Sequence, residues 1–172
     1  GMGTIGKKTA RLAQAFGMRV HYYDIARLPE DVEDALDVRF RLFGELLRDS
    51  DVLSLHVPLN ETTRGMVGEA ELARMKPTAL LVNTSRGPVV DERALHRALA
   101  ARTIAGAGLD VFDVEPPPAD HPLFALDYVV LTAHMAGPTQ ESNPARLRNA
   151  FDNVQRVARG EPALWVVPEL GA

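Results

Sequence analysis

The sequence contains no cysteine, no long apolar run and no cluster of basic residues. Without cysteine there is no disulfide framework, no thiolate nucleophile and no cysteine-rich zinc site, and we expect no metal site. The longest apolar runs are only as long as a strand, for example Ala79 to Val82, so we expect neither a membrane span nor a signal peptide. The cytoplasm is therefore the expected location.

Charge further limits the function classes. Nineteen Lys and Arg residues stand against 23 Asp and Glu residues, which gives a net charge of -4, and the basic residues are scattered. We therefore expect no nucleic-acid partner. The 172 residues, 46% of them hydrophobic, are enough to form the core of one compact domain.

Strand-like and helix-like segments alternate along the chain. Apolar residues at helical spacing from Ile5 to Phe16 predict a first helix that stops at Gly17. The other predicted helices cover 43–48, 69–75, 91 to about 102, and about 139 to 159, the last with a stripe of Leu147, Phe151, Val154 and Ala158. The predicted strands cover 18–23, 51–57, 79–83, 104–111 and 128–132. This alternation predicts an α/β fold with a doubly wound, mostly parallel sheet covered by helices on both faces.

The chain opens on the glycine motif Gly1-Met2-Gly3-Thr4-Ile5-Gly6, which leads directly into the first helix. Glycines of this spacing permit a tight turn and the close approach of a pyrophosphate, which free amides at a helix N-terminus stabilise. Three glycines at a chain start would also fit a flexible end or a cloning remnant.

Asp24 closes the next predicted strand, 18 residues after Gly6. A carboxylate here can accept hydrogen bonds from both adenosine ribose hydroxyls and repel a 2'-phosphate, which favours NAD over NADP. Two alternatives stay open. Asp24 would also serve as a turn residue, and the nearby Arg27 would weaken the preference.

Polar residues follow the carboxyl ends of successive predicted strands. They are Asp24, His56 and Pro58, Asn83 to Arg86, Asp110, and His134. Ligands bind at this edge of an open parallel sheet, so the pattern predicts a Rossmann-type dinucleotide site. Simpler interpretations also exist, with His56 as an ordinary strand-end residue, Arg86 as a surface residue and Glu115 as a turn residue before Pro116. His21, His96 and His121 are interpreted as structural or solvated.

Four segments, 51–59, 75–91, 108–116 and 131–137, carry a specific pattern in a fixed order. The longest reads MKPTALLVNTSRGPVVD, and the others include DVLSLHVPL, GLDVF followed by EP, and LTAHMAG. Together they resemble the D-isomer-specific 2-hydroxyacid dehydrogenases. The resemblance implies an NAD-dependent enzyme that transfers a hydride between a 2-keto acid and a D-2-hydroxy acid, with a homodimer as the expected assembly.

The resemblance also implies roles for individual residues. Arg86 would bind the substrate carboxylate and carbonyl, His134 would donate and accept the proton, and Glu115 would orient and charge that histidine. These types suit the chemistry, because histidine titrates near neutrality and arginine forms a planar fork for a carboxylate. With Gly1 of the glycine motif added, the predicted NAD contacts are Gly1, Gly3, Thr4, Ile5, Asp24, Pro58, Thr84, Asp110 and Gly137.

Two features depart from the family pattern: no strand precedes Gly1, and the substrate domain is absent. We expect residues 1–172 to be a dinucleotide-binding domain, with a C-terminal helix and tail from about 139. The chain looks like a cofactor domain cut at its glycine motif or a gene product whose start is placed too late, and Gly1-Met2 also looks like a tag remnant.

The first strand of a doubly wound sheet would lie between the strands that end at Asp24 and His56. Its absence predicts a split sheet, and a chain that folds poorly unless other residues fill that position. Three function classes remain: a 2-hydroxyacid dehydrogenase or its cofactor half, an NAD-sensing protein of the corepressor type, and an inactive fragment. Glyoxylate, hydroxypyruvate and bulkier keto acids all remain open as substrates.

Overall fold

The structure is a computed structural model that describes residues 1–166. The chain divides into two compact units, Gly1–His134 and Met135–Ala172. The last part of the predicted tail, 167–172, lies outside the described residues. One dinucleotide-binding domain over 1–172 stays a prediction.

The first unit begins with a small parallel pair of strands. Its elements are α1 (Thr4–Ala15), β1 (Val20–Tyr22), α2 (Glu30–Leu36) and β2 (Val38–Phe40). Residues Val20 and Val38 are register partners, and α1 ends before Gly17, which has a φ of +80°. A small core of Met2, Ala10, Tyr22 and Val38 is buried here.

The main sheet of this unit has four parallel strands in the order β3, β4, β5, β6. The strands are β3 (Val52–Leu55), β4 (Leu80–Asn83), β5 (Gly106–Leu109) and β6 (Val129–Leu131), and the helices α3 (Phe43–Asp49), α4 (Glu69–Leu72) and α5 (Glu92–Ala100) precede or connect them. The main hydrophobic core includes Leu47 of α3, Leu72 of α4, Leu81 of β4 and Leu99 of α5, all buried. The sheet is therefore anchored by helices that supply leucines to one core.

The second unit contains α6 (Ser142–Ala158). The helix begins at Ser142, shortly after the predicted start near Thr139. The side chains of Thr139 and Ser142 each accept a hydrogen bond from the other residue's amide, at 3.0 and 2.8 Å, and this reciprocal contact caps the N-terminal end of the helix. Of the predicted stripe, Leu147, Phe151 and Val154 are exposed. No helix among residues 1–166 is long and apolar enough to cross a membrane.

The predicted α/β fold with parallel strands is confirmed, and its sheet is split at the predicted place. Among the described residues, β1 and β2 form one sheet and β3 to β6 another. Gly1 contacts the ends of both: its amino group donates to the Tyr23 carbonyl at 2.8 Å, and a Cβ on Gly1 would lie 2.6 Å from the His56 carbonyl oxygen. The elements α2 and β2 were not predicted, and most strands are shorter than predicted.

Candidate active site

The four strands of the main sheet end in register. Leu55 pairs with Asn83, Asn83 with Leu109, and Leu109 with Leu131. The residues that follow these strands therefore share one edge, where ligands of open parallel sheets bind. Predicted site residues at this edge are Thr84 after β4, Asp110 after β5 and, farther along the chain, His134 after β6.

Asn83 shapes the loop that carries Arg86. Its buried amide nitrogen donates to the Arg86 carbonyl at 2.9 Å, and its Oδ1 accepts bonds from the Ser85 amide at 3.0 Å and hydroxyl at 2.7 Å. Thr84 and Arg86 are exposed on this loop. This supporting role was not predicted from the sequence, although an asparagine at the end of a buried strand is a signal for such a turn.

Glu115 and His134 form the most direct polar contact at this edge. Glu115 Oε2 lies 2.7 Å from His134 Nδ1, and Glu115 Oε1 accepts the Phe112 amide proton at 3.0 Å. The hydrogen bond with His134, followed by the Phe112 amide and the charges of His134 and Arg86, holds the pKa of Glu115 below its ordinary value. Glu115 is therefore an anion at neutral pH, placed to orient the imidazole.

His134 has a backbone conformation that side chains rarely adopt, with a φ of +55°. Its amide donates to the Asp110 carbonyl at 2.9 Å, and the Asp110 amide donates in turn to the Asn83 carbonyl at 3.0 Å. The buried Asp110 side chain accepts a short hydrogen bond from the Thr132 hydroxyl. Main-chain bonds across three strand ends thus fix the position of His134. Residues with a strained backbone, such as His134, concentrate at functional sites.

Gly87 brings the Arg86 loop against the segment that precedes Glu115. A Cβ on Gly87 would lie 2.0 Å from both the carbonyl carbon and the carbonyl oxygen of Phe112. Only glycine permits this approach. The loop that carries Arg86 and the loop that carries Glu115 are consequently in direct contact, which the sequence analysis did not predict.

A cavity of about 550 Å³ opens beside the Glu115–His134 pair. Its lining includes both residues and Asp110, together with the apolar side chains of Phe112, Phe124 and Leu131. In the described part of the chain, Arg86 is not among the lining residues, although its charge contributes to the low pKa of Glu115. The cavity places a carboxylate and an imidazole against an apolar wall.

The glycine motif forms a second group of predicted site residues. A Cβ on Gly6 would lie 2.2 Å from the Gly1 carbonyl oxygen, so the tight turn requires glycine at this position. Gly3 caps α1 with open space around it, and the exposed Thr4 and Ile5 follow in a first turn without acidic side chains. The positive end of this helix is therefore available to an anion such as a pyrophosphate.

Asp24 lies next to the glycine motif. Its Oδ2 accepts the Met2 amide proton at 2.6 Å, and its Oδ1 accepts that of Ala26 at 3.3 Å. Burial alone would raise the pKa of Asp24, but the hydrogen bonds from these amides outweigh it and lower the pKa. The ionised carboxylate fits the predicted contact with ribose hydroxyls.

Arg27, whose position near Asp24 was expected to weaken the preference for NAD, is engaged elsewhere. Its Nε and Nη2 lie 2.9 and 3.0 Å from the two carboxylate oxygens of the buried Glu33, which also accepts the Tyr22 hydroxyl at 2.7 Å. The guanidinium carbon lies 5.7 Å from the centre of the Phe40 ring. These contacts occupy Arg27 and favour the NAD preference.

Two predicted cofactor residues lie outside these groups. Pro58 is exposed beyond the end of β3, and its carbonyl accepts the Thr63 hydroxyl at 2.6 Å. Gly137 belongs to the second unit, where its carbonyl accepts the Ser142 hydroxyl at 3.1 Å. His56 is half-buried, and this burial lowers its pKa. Residues 1–166 contain no cluster of His, Asp or Glu that could hold a metal ion.

A glycine turn at a helix N-terminus, an acidic residue after the next strand and polar groups along one sheet edge define the class of dinucleotide-binding domains. The chain belongs to the D-isomer specific 2-hydroxyacid dehydrogenase family, since residues 1–136 match its NAD binding domain. The family match confirms both the resemblance and the predicted cofactor.

Similar proteins agree with this assignment. A glyoxylate reductase from Korarchaeum cryptofilum is 51% identical over 161 residues, which are 94% of this chain and 48% of that protein. The crystal structure of a glyoxylate reductase from Paecilomyes thermophila matches with a TM-score of 0.90 and 40% identity, over 98% of this chain and 51% of that one.

The NAD complexed form of a D-isomer specific 2-hydroxyacid dehydrogenase from Lactobacillus delbrueckii ssp. bulgaricus gives a TM-score of 0.86 and 33% identity, over 97% of this chain and 54% of that one. The chain thus spans about half the length of the relatives it matches.

Proposed function

We propose that the complete protein is an NAD-dependent oxidoreductase that interconverts a 2-keto acid and a D-2-hydroxy acid. The observation that carries this proposal is the 2.7 Å contact between His134 Nδ1 and Glu115 Oε2 at the ligand-binding edge of the sheet. Similarity to glyoxylate reductases supports a small 2-keto acid, so glyoxylate is the first substrate to test.

His134 exchanges the proton in this proposal. When bound, NADH supplies the hydride to the substrate carbonyl carbon. Because Glu115 engages Nδ1, the other ring nitrogen of His134, Nε2, is the one that donates a proton to the substrate oxygen during reduction. The negative charge of Glu115 stabilises the protonated ring and fixes its orientation.

Arg86 binds the acid. Its planar guanidinium can take the substrate carboxylate in two parallel hydrogen bonds. Its charge also stabilises the oxygen on which negative charge develops as the carbonyl is reduced. Asn83 holds the loop that presents it, through the bond to the Arg86 carbonyl at 2.9 Å.

The cofactor residues divide into two groups. Gly1, Gly3, Thr4 and Ile5 would hold the pyrophosphate at the N-terminus of α1, and Asp24 would accept the ribose hydroxyls. The remaining predicted contacts toward the nicotinamide end are Pro58, Thr84, Asp110 and Gly137. The open space around Gly3 and the ionised Asp24 carboxylate support this division.

The test is NADH oxidation by the complete protein with glyoxylate, hydroxypyruvate and bulkier 2-keto acids. We expect turnover with at least one acid, and a loss of about 10²-fold or more in kcat for His134→Asn. His21→Asn is the matched control, because His21 is exposed on β1 and lies outside the proposed site. NADH binding without any turnover would instead favour the NAD-sensing function, and the absence of NADH binding would contradict the proposal.

We also infer that the protein acts in the cytoplasm as a homodimer, with no nucleic-acid or membrane partner. Two exposed apolar side chains, Leu12 on α1 and Phe16 directly after it, support an interface between copies, and the net charge of -4 argues against polyanion binding. Light scattering that gives the mass of a monomer at micromolar concentration would contradict the dimer.

A further inference from the structure

Glu92, the first residue of α5, binds two separate points of the segment that carries Glu115. Its Oε2 accepts the Asp113 amide proton at 3.1 Å, and its Oε1 lies 2.9 Å from His121 Nε2. Asp113 stands before Glu115 in the chain, and His121 stands after it. One carboxylate therefore holds both sides of the Glu115 loop against a helix of the main core.

His121 is fixed from both sides of its ring. The residue is only 8% exposed, and its Nδ1 accepts the Leu123 amide proton at 3.4 Å. Because Nδ1 is the acceptor, Nε2 carries a proton and donates to Glu92. The ring also packs against Phe112 and Phe124, with centroid distances of 5.5 and 5.4 Å.

The same few residues connect this contact to the proposed proton donor. Two successive amides are held by different carboxylates: that of Phe112 donates to Glu115 at 3.0 Å, and that of Asp113 donates to Glu92 at 3.1 Å. The second oxygen of Glu115 contacts His134. A displacement of the peptide between Phe112 and Asp113 would therefore displace the Glu115 carboxylate relative to the imidazole.

We propose that Glu92 and His121 are positioning residues that hold Glu115 in place beside His134. This inference rests on the proposed function, because the reaction requires a correctly placed Glu115. Neither residue need touch the substrate or the cofactor. Removal of a pair that only stabilised the fold would also lower the unfolding temperature. The test therefore needs a measurement that depends on Glu115.

The first experiment measures kinetics of Glu92→Ala and His121→Asn in the complete protein. We expect kcat to fall by about 10- to 100-fold, since small misplacements of a catalytic group have effects of this size, while KM for NADH changes by less than about 3-fold. Glu92→Gln, which keeps one acceptor oxygen, should lose less. The control is Glu69→Gln, which removes the negative charge from an exposed ion pair of 2.8 Å between Glu69 of α4 and Arg97 of α5.

A double variant identifies the route of the effect. If Glu92 acts through Glu115, then Glu92→Ala combined with Glu115→Gln should be no slower than Glu115→Gln alone, within about 2-fold. Losses that multiply in the double variant would overturn the proposal, and so would an unchanged kcat in Glu92→Ala. If that variant does not fold, Glu92→Gln and His121→Asn replace it in the same comparison.

A spectroscopic measurement separates this inference from the proposed function. Nitrogen-15 NMR of the five histidines reports which ring nitrogens are hydrogen-bonded, and His134→Asn assigns the His134 signals. Glu92→Ala should shift the His134 signals in the same direction as Glu115→Gln does. If wild-type protein turned over no 2-keto acid, the proposed function would fail, yet unshifted His134 signals alone would show that Glu92 does not position Glu115.

Discussion

Glu115 is the residue whose ionisation is most directly connected with the proposed chemistry. Three residues favour its charged form: His134 through its hydrogen bond and its charge, Phe112 through its amide, and Arg86 through its charge. Because its pKa lies below the ordinary value, the carboxylate persists across the neutral range in which a histidine can exchange protons. The pair can therefore act as a unit in which Glu115 stays charged while His134 changes its protonation.

Replacement of Glu115 by Gln should impair reduction of the keto acid. Glutamine keeps the shape but not the charge, so the carboxylate beside His134 Nδ1 is lost as an anion and we expect kcat to fall by about 10²- to 10⁴-fold. Steady-state kinetics measure this effect, and an unchanged kcat would remove Glu115 from the proposed role.

Asp24 is the residue that should decide between the two nicotinamide cofactors. Asp24→Ala removes an acceptor for the ribose hydroxyls and the repulsion of a 2'-phosphate, so NADH binding should weaken more than NADPH binding. Fluorescence titration gives the ratio of the two dissociation constants. Asp31→Ala, on the exposed side of the neighbouring α2, changes the net charge equally and should leave that ratio unchanged. If Asp24→Ala and Asp31→Ala gave the same ratio of dissociation constants, Asp24 would be excluded from the cofactor site.

At the scale of elements, the strongly patterned segments were predictable and the short ones were not. The buried runs that became β3, β4 and β5 were identified, with one or both ends extended by one or two residues, because flanking apolar residues do not show where strand pairing stops. The element β2 was missed because three residues, Val38 to Phe40, are too few for their alternation to stand out. The helix α2 was missed because its single buried residue is the polar Glu33, which breaks the apolar pattern.

The candidate site shows the same division. Family motifs and strand ends predicted Glu115 and His134, which the structure brings within 2.7 Å of each other. The contact between Gly87 and Phe112 joins loops separated in the chain, and the bonds of Glu92 to Asp113 and His121 depend on how α5 packs. Such tertiary contacts have no local signal in one sequence.

Substitution of Gly87 by Ala should separate the two loops that meet there. The added methyl group would lie 2.0 Å from the Phe112 carbonyl, which is backbone and cannot rotate away, so we expect a loss of stability of about 1 to 3 kcal/mol. Thermal unfolding measures it. Gly108→Ala is the control, because its Cβ would meet nothing closer than Val82 Cγ2 at 3.9 Å. Equal melting temperatures for the two variants would contradict the close approach at Gly87.

At the scale of the whole molecule, the proposed ligand edge extends over two sheets. Asp24 follows a strand of the small sheet, whereas Asp110 and Thr84 follow strands of the large one. Gly1 contacts the ends of both, at the Tyr23 and His56 carbonyls. A dinucleotide bound by all the proposed residues would therefore bridge the two sheets, and its binding should raise the melting temperature of the protein.

Resistance to acid should depend on Glu33 of α2. Its carboxylate binds the hydroxyl of Tyr22 on β1 and the guanidinium of Arg27. The Arg27 hydrogen bonds, then the Tyr22 hydroxyl, lower the pKa of Glu33 from its ordinary 4.5 to about 2. Because the pKa of Glu33 is lower in the folded protein than in the unfolded chain, this stabilisation is fully present above about pH 4.5. It is lost as the pH falls toward about 2.

Glu33→Gln should therefore destabilise the protein at neutral pH and differ less and less from wild type as the solution becomes acidic. Urea unfolding at a series of pH values between 7 and about 3 measures this difference. Glu30→Gln, an exposed change on the same helix, should give a small difference at every pH, since isolated surface charges contribute little. If the difference between Glu33→Gln and wild type stayed constant over the whole range, the carboxylate would have no special stabilising role, and the link between α2 and β1 would depend on packing instead.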